Sequence, residues 1–283
     1  MTIIKLKGGL GNQLFQYAFG RFLSIKRDED LILDKDIMTG KNDIYRQYGL
    51  GYFNINARAV DTFKIKEFKY PLGMISKLWR GIKSKIFKIY NIGWNPKILN
   101  SKGIYFDGYW QSYKYVDPIR NELLKELTLV NSIDDKFSSV LGDIKNSNSV
   151  SLHIRRGDYI NDPKTSQIHN ICDLDYYDRA VKQIVDRVGN PVFYIFSDDI
   201  DWVKENLKID YPMVFVSDGT MKDYEELVIM SKCKNNIIAN SSFSWWGAWL
   251  NKNNQKVVVA PSRWNNHHQE EYKYLLPESW IKI

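Results

Sequence analysis

Ser149–Tyr159 reads SVSLHIRRGDY, and its two halves obey different rules. Over Ser149–Ile154 polar and apolar residues alternate, which predicts a strand. Arg155, Arg156, Gly157 and Asp158 follow where that strand should end. Open α/β sheets bind ligands outside the carboxyl ends of their strands. Two adjacent guanidinium groups repel unless an anion lies beside them, and their planar fork matches phosphate oxygens. Arg155 and Arg156 therefore read as an anion site, with pairing to neighbouring acids as the other reading. Asp158 is the obvious acid here, as a general base or as an arginine's partner. His153 suits a structural hydrogen bond better than catalysis. The Arg-Gly-Asp tripeptide does not read as an adhesion motif, which belongs on an exposed loop.

Downstream the pattern is regular. Helices are predicted at 175–188, from Ile200, over Lys222–Lys232 and from Phe243 to Leu250. They alternate with strands at Val192–Phe196, Met213–Val216, Ile237–Ala239 and Lys256–Val259. Repeated βα units imply a parallel sheet with helices on both faces. Upstream, Thr2–Lys7, Asp30–Asp34 and Ile104–Phe106 read as strands, and Gln13–Lys26, Val116–Leu127 and Ile133–Ile144 as helices. Lys145–Asn148 is the expected boundary, giving domains 1–145 and 146–283.

Four loops fall after predicted strands: Gly8–Asn12, Arg155–Asp158, Ser197–Asp199 and Asn240–Ser242. In two sheets that face each other, such ends meet across one cleft. Gly8–Asn12 (GGLGN) can cradle an anion on free backbone N–H groups, or be a tight turn. It matches neither the P-loop nor the GxGxxG spacing. Asn240-Ser241-Ser242 can cap a helix or offer hydroxyls, N–H groups and the positive dipole end to a phosphate. With Arg155 from a neighbouring strand, a diphosphate would be gripped from two sides. Asp198 could accept from a ribose or a purine edge. Asp199-Ile200-Asp201 spells a metal-binding Asp-x-Asp, but with no second acidic cluster it reads better as a helix cap.

The 283 residues are 44% hydrophobic, enough for two cored domains, and 14% aromatic. A formal charge of +7 favours an acidic partner: a nucleotide, a nucleic acid or an anionic membrane face. Two distant cysteines, Cys172 and Cys233, argue for a reducing compartment and against disulfides or zinc. The chain opens in a strand rather than a signal peptide, and no run nears ~18 apolar residues. A cytoplasmic protein is expected. In Ile75–Tyr90 (ISKLWRGIKSKIFKIY), five basic residues and no acid border an apolar helical side. Such a helix suits the inner face of a membrane, or packing on the domain.

Taken together, HIRRGDY (153–159), GGLGNQLFQYAFGRFL (8–23), FSDD (196–199), ANSSFSWWGAWLN (239–251) and VVAPSRW (258–264) resemble, in order, the α-1,2-fucosyltransferases of glycosyltransferase family 11. The likeness spans nearly the whole chain and is poor between about residues 40 and 100. It implies a GT-B-like α/β fold of two Rossmann-like domains facing a central cleft, the first on the acceptor side and the second binding GDP-fucose. It implies inverting transfer of L-fucose to the 2-hydroxyl of a terminal galactoside, on an oligosaccharide or a lipid-linked glycan, with no metal and no cofactor. On that resemblance Arg155 holds the β-phosphate, while His153 and Asp158 shape the motif. Asp198 reads the nucleoside, and Ser241, Ser242 and Phe243 contact phosphate and base. Gly11, Asn12 and Arg156 join the donor contacts; Asn12, Gln13, Trp110 and Gln111 meet the acceptor. Two other readings are a non-catalytic binder of nucleotide or single-stranded nucleic acid, and a fucosyltransferase of another linkage. Scattered rather than striped basic residues count against nucleic acid.

Overall fold

A computed structural model describes residues 1–35, 47–61, 91–101, 104–133, 135–157, 167, 172–267 and 269–283. Asp158 and the basic segment 75–90 lie outside the described residues. The chain divides into two compact units, one of residues 1–130 with 271–275, the other of 131–270 with 276–283. The division thus falls before the expected boundary after residue 145. Helix α4 explains why: Ile144 and Leu141 on it pack into the core of the second unit.

In the first unit, β1 (Thr2–Lys5), β2 (Leu31–Asp34), β3 (Arg58–Val60) and β4 (Tyr105–Asp107) form a parallel sheet of order β3-β2-β1-β4. Between β1 and β2 runs α1 (Leu10–Arg27), whose inner face of Leu14, Phe15, Ala18, Phe19 and Leu23 is buried. It begins three residues before the predicted start, so Gly11 and Asn12 belong to its first turn rather than to a loop. Two short helices follow β4, α2 (Tyr113–Val116) and α3 (Arg120–Glu126), where one longer helix is predicted. Pro118 in the turn between them accounts for the break, because it cannot supply a helical N–H.

The second unit opens with α4 (Ser138–Asn146) and β5 (Asn148–Ile154). It continues through α5 (Leu174–Val185), β6 (Pro191–Ser197), α6 (Ile200–Asn206), β7 (Met213–Phe215) and α7 (Asp223–Lys232). Last come β8 (Asn235–Ile237), α8 (Ser242–Leu250), β9 (Val258–Ala260) and β10 (Ile281–Lys282). The sheet is parallel throughout, in the order β10-β9-β8-β5-β6-β7. The chain therefore steps outward from β5 to β7, then returns to build β8, β9 and β10 on the other side. That is the doubly wound order, with its reversal between β5 and β8, and it makes this unit Rossmann-like.

Central β5 is buried on both faces. Val150, Leu152 and Ile154 pack with Tyr176, Tyr177, Ala180 and Ile184 of α5. On the other face Ser149 and Ser151 accept hydrogen bonds from Lys234 N–H (3.0 Å) and Asn236 Nδ2 (2.9 Å), so the alternation separates two interiors rather than core from solvent. Helix α8 carries Trp245, Trp246 and Trp249, all buried, with Trp280 against Trp245. Its C-terminus is held by Lys256, whose ammonium donates to the carbonyls of Ala248 (2.7 Å), Trp249 (3.4 Å) and Asn251 (2.7 Å). A cation there satisfies the last carbonyls and complements the negative end of the helix. No helix among the described residues is long and apolar enough to cross a membrane.

Lys256→Met keeps the stem and removes those bonds. It should lower unfolding free energy by about 2 kcal/mol, the worth of a hydrogen-bonded charged group. Exposed Lys252→Met should change it by less than about 0.5 kcal/mol. Urea denaturation of both variants checks this.

Candidate active site

The ladder between β5 and β8 stops at the pair Leu152 and Ile237. Beyond it the strands part, and their next carbonyls need other donors. Adjacent tyrosines of α5 supply them: Tyr177 Oη donates to the His153 carbonyl (3.2 Å) and Tyr176 Oη to that of Ile238 (2.6 Å). Arg155 and Arg156 leave one lip of this crevice, and Asn240, Ser241 and Ser242 leave the other.

The β5–β6 register pairs His153 with Phe196 and Ile154 with Ser197, so the next step sets Arg155 opposite Asp198. Asp198 Oδ2 takes the Arg155 guanidinium at 3.0 Å, and Oδ1 accepts the Arg156 N–H at 2.8 Å. A Cβ on Gly157 would run into that carboxylate, so glycine allows the close approach. Arg156 turns elsewhere: its Nε donates to Asp199 Oδ2 at 3.1 Å, and its guanidinium lies 3.4 Å over the Trp202 ring. Asp199 also caps α6 through the Trp202 N–H, and Asp201 pairs with Lys204. The Asp-x-Asp segment is a helix cap with its acids engaged. Among the described residues no cluster of three or more His, Cys, Asp or Glu could hold a metal.

Two expectations change here. Asp198 holds the arginine loop through both oxygens, a role not foreseen for it. His153 is buried, and among the described residues its Nδ1 has no hydrogen-bond partner. Burial, reinforced by the Arg155 charge, lowers its pKa to about 3. The ring is therefore held neutral, which suits a supporting role better than proton transfer. It tilts against Phe243, centroids 5.8 Å apart. On α8, Ser241 is the N-cap, its Oγ accepting from Phe243 N–H (3.3 Å), and Ser242 and Phe243 are partly exposed.

In the first unit the sheet reverses between β1 and β4, and Gly8–Asn12 and Gly108–Ser112 follow those strands. Gly8 has φ +79° and its Cβ would strike Asn12, so only glycine fits. Gln13 is fully buried and braces the loop through bonds to Gly8 O, Gln47 O and Gly49 N. Trp110 is fully buried too; at φ +57° the backbone turns its ring inward, stacked 3.9 Å from Phe19. Gln13 and Trp110 therefore cannot meet an acceptor, contrary to expectation. Asn12 and Gln111 do adjoin, Gln111 Nε2 donating to Asn12 Oδ1 at 2.7 Å, with Asn12 partly exposed.

One acid was missed in the sequence. Glu226, in the first turns of α7, is partly buried near Ser217, Asp198, Asp218 and Asp223. Burial raises its pKa to about 7; Ser217 lowers it, and the surrounding acids add to the rise. A carboxyl in a helix start reads as an ordinary dipole partner, and nothing local marks it.

The family model described as glycosyl transferase family 11 matches residues 1–283. The O-antigen biosynthesis glycosyltransferase WbnK of Escherichia coli is 34% identical over 304 residues, covering 98% of this chain and 99% of that protein. The alpha-1,2-colitosyltransferase of Escherichia coli is 34% identical over 299 residues, covering 100% and 99%. Galactoside 2-alpha-L-fucosyltransferase Sec1 of Mus musculus is 25% identical over 188 residues, covering 63% and 51%. Among solved structures, NodZ alpha-1,6-fucosyltransferase soaked with GDP-fucose superimposes with a TM-score of 0.53 at 11% identity, covering 88% of this chain and 91% of that one. It shares the fold.

Asp198→Asn weakens the charge that holds Arg155 and should loosen any anion bound there by about tenfold, measured as GDP affinity by calorimetry. Glu226 gives a pH signature. A carboxyl whose folded pKa lies above its unfolded value binds its proton more tightly when folded, so its contribution is favourable at low pH and is lost as pH rises through about 7. The melting temperature of Glu226→Gln relative to wild type should therefore rise between pH 5 and pH 8.

Proposed function

The chain belongs to glycosyl transferase family 11, and from that premise we propose that it transfers L-fucose from GDP-β-L-fucose to the 2-hydroxyl of a terminal galactoside, with inversion. Membership sets aside the non-catalytic binder. The observation that carries the donor reading is the Arg155–Asp198 pair at the reversal of a doubly wound sheet, with the start of α8 on the opposite lip. A nucleoside diphosphate is the anion proposed there. The names of its relatives support the sugar: a galactoside 2-alpha-L-fucosyltransferase and, in the same fold, a fucosyltransferase soaked with GDP-fucose.

The chemistry follows from charge. As the acceptor oxygen approaches the anomeric carbon, the bond to GDP breaks and negative charge develops on the β-phosphate. Arg155, already oriented by Asp198, and the N–H and hydroxyl of Ser242 at the start of α8 stabilise that charge. One such preorganised contact commonly lowers a barrier by ~2.7–4 kcal/mol. His153 supports the motif as a neutral ring. The acceptor proton goes to Asp158, three residues beyond Arg155 in sequence, or late in the step to a phosphate oxygen. Asn12 and Gln111 are the proposed acceptor contacts. No metal or other cofactor takes part. The glycan is an oligosaccharide or a lipid-linked chain of the O-antigen type, and residues 75–90 would bring the enzyme to an anionic membrane face.

A second reading has an observation of its own: the full-length likeness to an alpha-1,2-colitosyltransferase. Parallel assays with GDP-fucose and GDP-colitose on terminal galactosides, with the product linkage read by NMR, decide between them. The expected outcome is fucose α-linked to galactose O2, with unchanged turnover in excess EDTA. Faster transfer from GDP-colitose would make colitose the sugar. Another linkage, or turnover lost on chelation and restored by magnesium or manganese, would contradict the proposal.

A further inference from the structure

The loop Gly108–Ser112 carries Gln111 and belongs to no helix or strand, so its shape is set by what its polar groups meet. Tyr109 N–H donates to the Asn91 carbonyl at 2.9 Å, and Gln111 N–H to that of Ile92 at 2.6 Å. At the end of the loop one carbonyl takes two donors. Tyr274 O accepts from Ser112 Oγ at 2.8 Å and from Tyr113 N–H at 3.0 Å. Ser112 is fully buried, and it also caps α2 through the Lys114 N–H. The Lys114 ammonium lies over the Tyr274 ring, 3.7 Å from its centroid.

Tyr274 comes from the far end of the sequence. Residues 271–275 belong to the first unit, whereas 131–270 and 276–283 make the second. The chain therefore leaves the second unit for a short run and returns to it, and each stem of this excursion is fixed there. Before it, Asn240 Nδ2 at the lip of the crevice donates to the Trp264 carbonyl at 3.1 Å. After it, Ile281 and Lys282 pair with β9. Gly93 shows how closely the excursion is seated, since a Cβ there would run into the Glu271 carbonyl, which is backbone and cannot swing aside. Gly93 directly follows the two residues whose carbonyls hold the Tyr109 and Gln111 amides. Both supports of the loop thus lean on the excursion, one directly and one through residues 91–93.

We propose that residues 271–275 are a clasp that sets the acceptor loop, with Ser112 and Lys114 as positioning residues. A sugar hydroxyl is held by hydrogen bonds, which weaken steeply with misalignment. Asn12 and Gln111 can meet it only where their backbone is already in place, and the clasp fixes the end of that backbone. Ser112 and Lys114 act through the loop and do not touch the substrate. The inference rests on the acceptor reading of Asn12 and Gln111 above and adds what holds them.

The test measures steady-state rates of the full chain with a terminal galactoside and whichever of GDP-fucose and GDP-colitose the wild type uses. Lys114→Met keeps the stem of a partly exposed side chain and removes the cation over Tyr274. It should raise the acceptor KM about fivefold, the worth of one cation–π contact. Ser112→Ala should raise it about tenfold, the worth of one buried hydrogen bond. The donor KM should stay within about twofold in both, since a general loosening would move the two KM values together. Lys114→Arg keeps a cation over the ring and should restore the acceptor KM. If Ser112→Ala does not fold, the two Lys114 variants decide. Normal transfer by wild type, with the acceptor KM unchanged in the folded variants or raised no more than the donor KM, would overturn the clasp alone. No transfer to the galactoside by wild type would overturn the acceptor reading and the clasp with it.

Discussion

The second unit is organised around one carboxylate. Asp198 takes the Arg155 guanidinium on one oxygen and the Arg156 backbone N–H on the other, and Gly157 gives it room. That geometry follows from strand register, since the β5–β6 ladder runs on to set the two residues opposite each other. A guanidinium left loose at a strand end would lose rotamer freedom on binding its ligand. Held by Asp198, Arg155 has already lost it. The pair is partly exposed, its side chains 34% and 25% accessible, so its value is in position rather than in stability.

Around this pair the fold supplies polarity at low cost. Two tyrosines satisfy the carbonyls exposed where β5 and β8 part, so the crevice does not leave backbone groups orphaned. Lys256 holds the negative end of α8 and the Ser241 cap begins its positive end. The first unit repeats the logic with other residues. Its sheet reverses between β1 and β4, Gly8 makes the turn, and Gln16 bonds to Lys7 and Gly108 to tie the two loops together. The shared principle is that buried amides and hydroxyls brace the strand ends, while a few partly exposed groups remain for chemistry.

Much of this was legible in the sequence. Alternating strands and amphipathic helices gave the parallel α/β units, and glycines and charges at strand ends pointed to the site. What escaped had physical reasons. Strands β3 and β10 are three and two residues long, too short for any period to show. Gln13 lies in the first turn of α1 and Trp110 in a polar loop, yet a buried amide that meets three backbone groups and an indole turned in by a positive φ look no different in sequence from ligand contacts. Asp198 was found but its grip on Arg155 was not, because pairing across two strands depends on register. Glu226 resembled any acid at a helix start until folding buried much of it.

Arg155, preset by Asp198, is proposed to stabilise the charge that develops on the leaving diphosphate. Arg155→Lys probes this, because lysine keeps the charge and loses the planar fork. Single-turnover and steady-state rates with GDP-fucose should show kcat lowered by roughly a hundredfold or more, as for one lost oxyanion-type donor. GDP affinity should fall less, since the interaction strengthens in the transition state. A folded Arg155→Lys enzyme with near-normal kcat would contradict the claim.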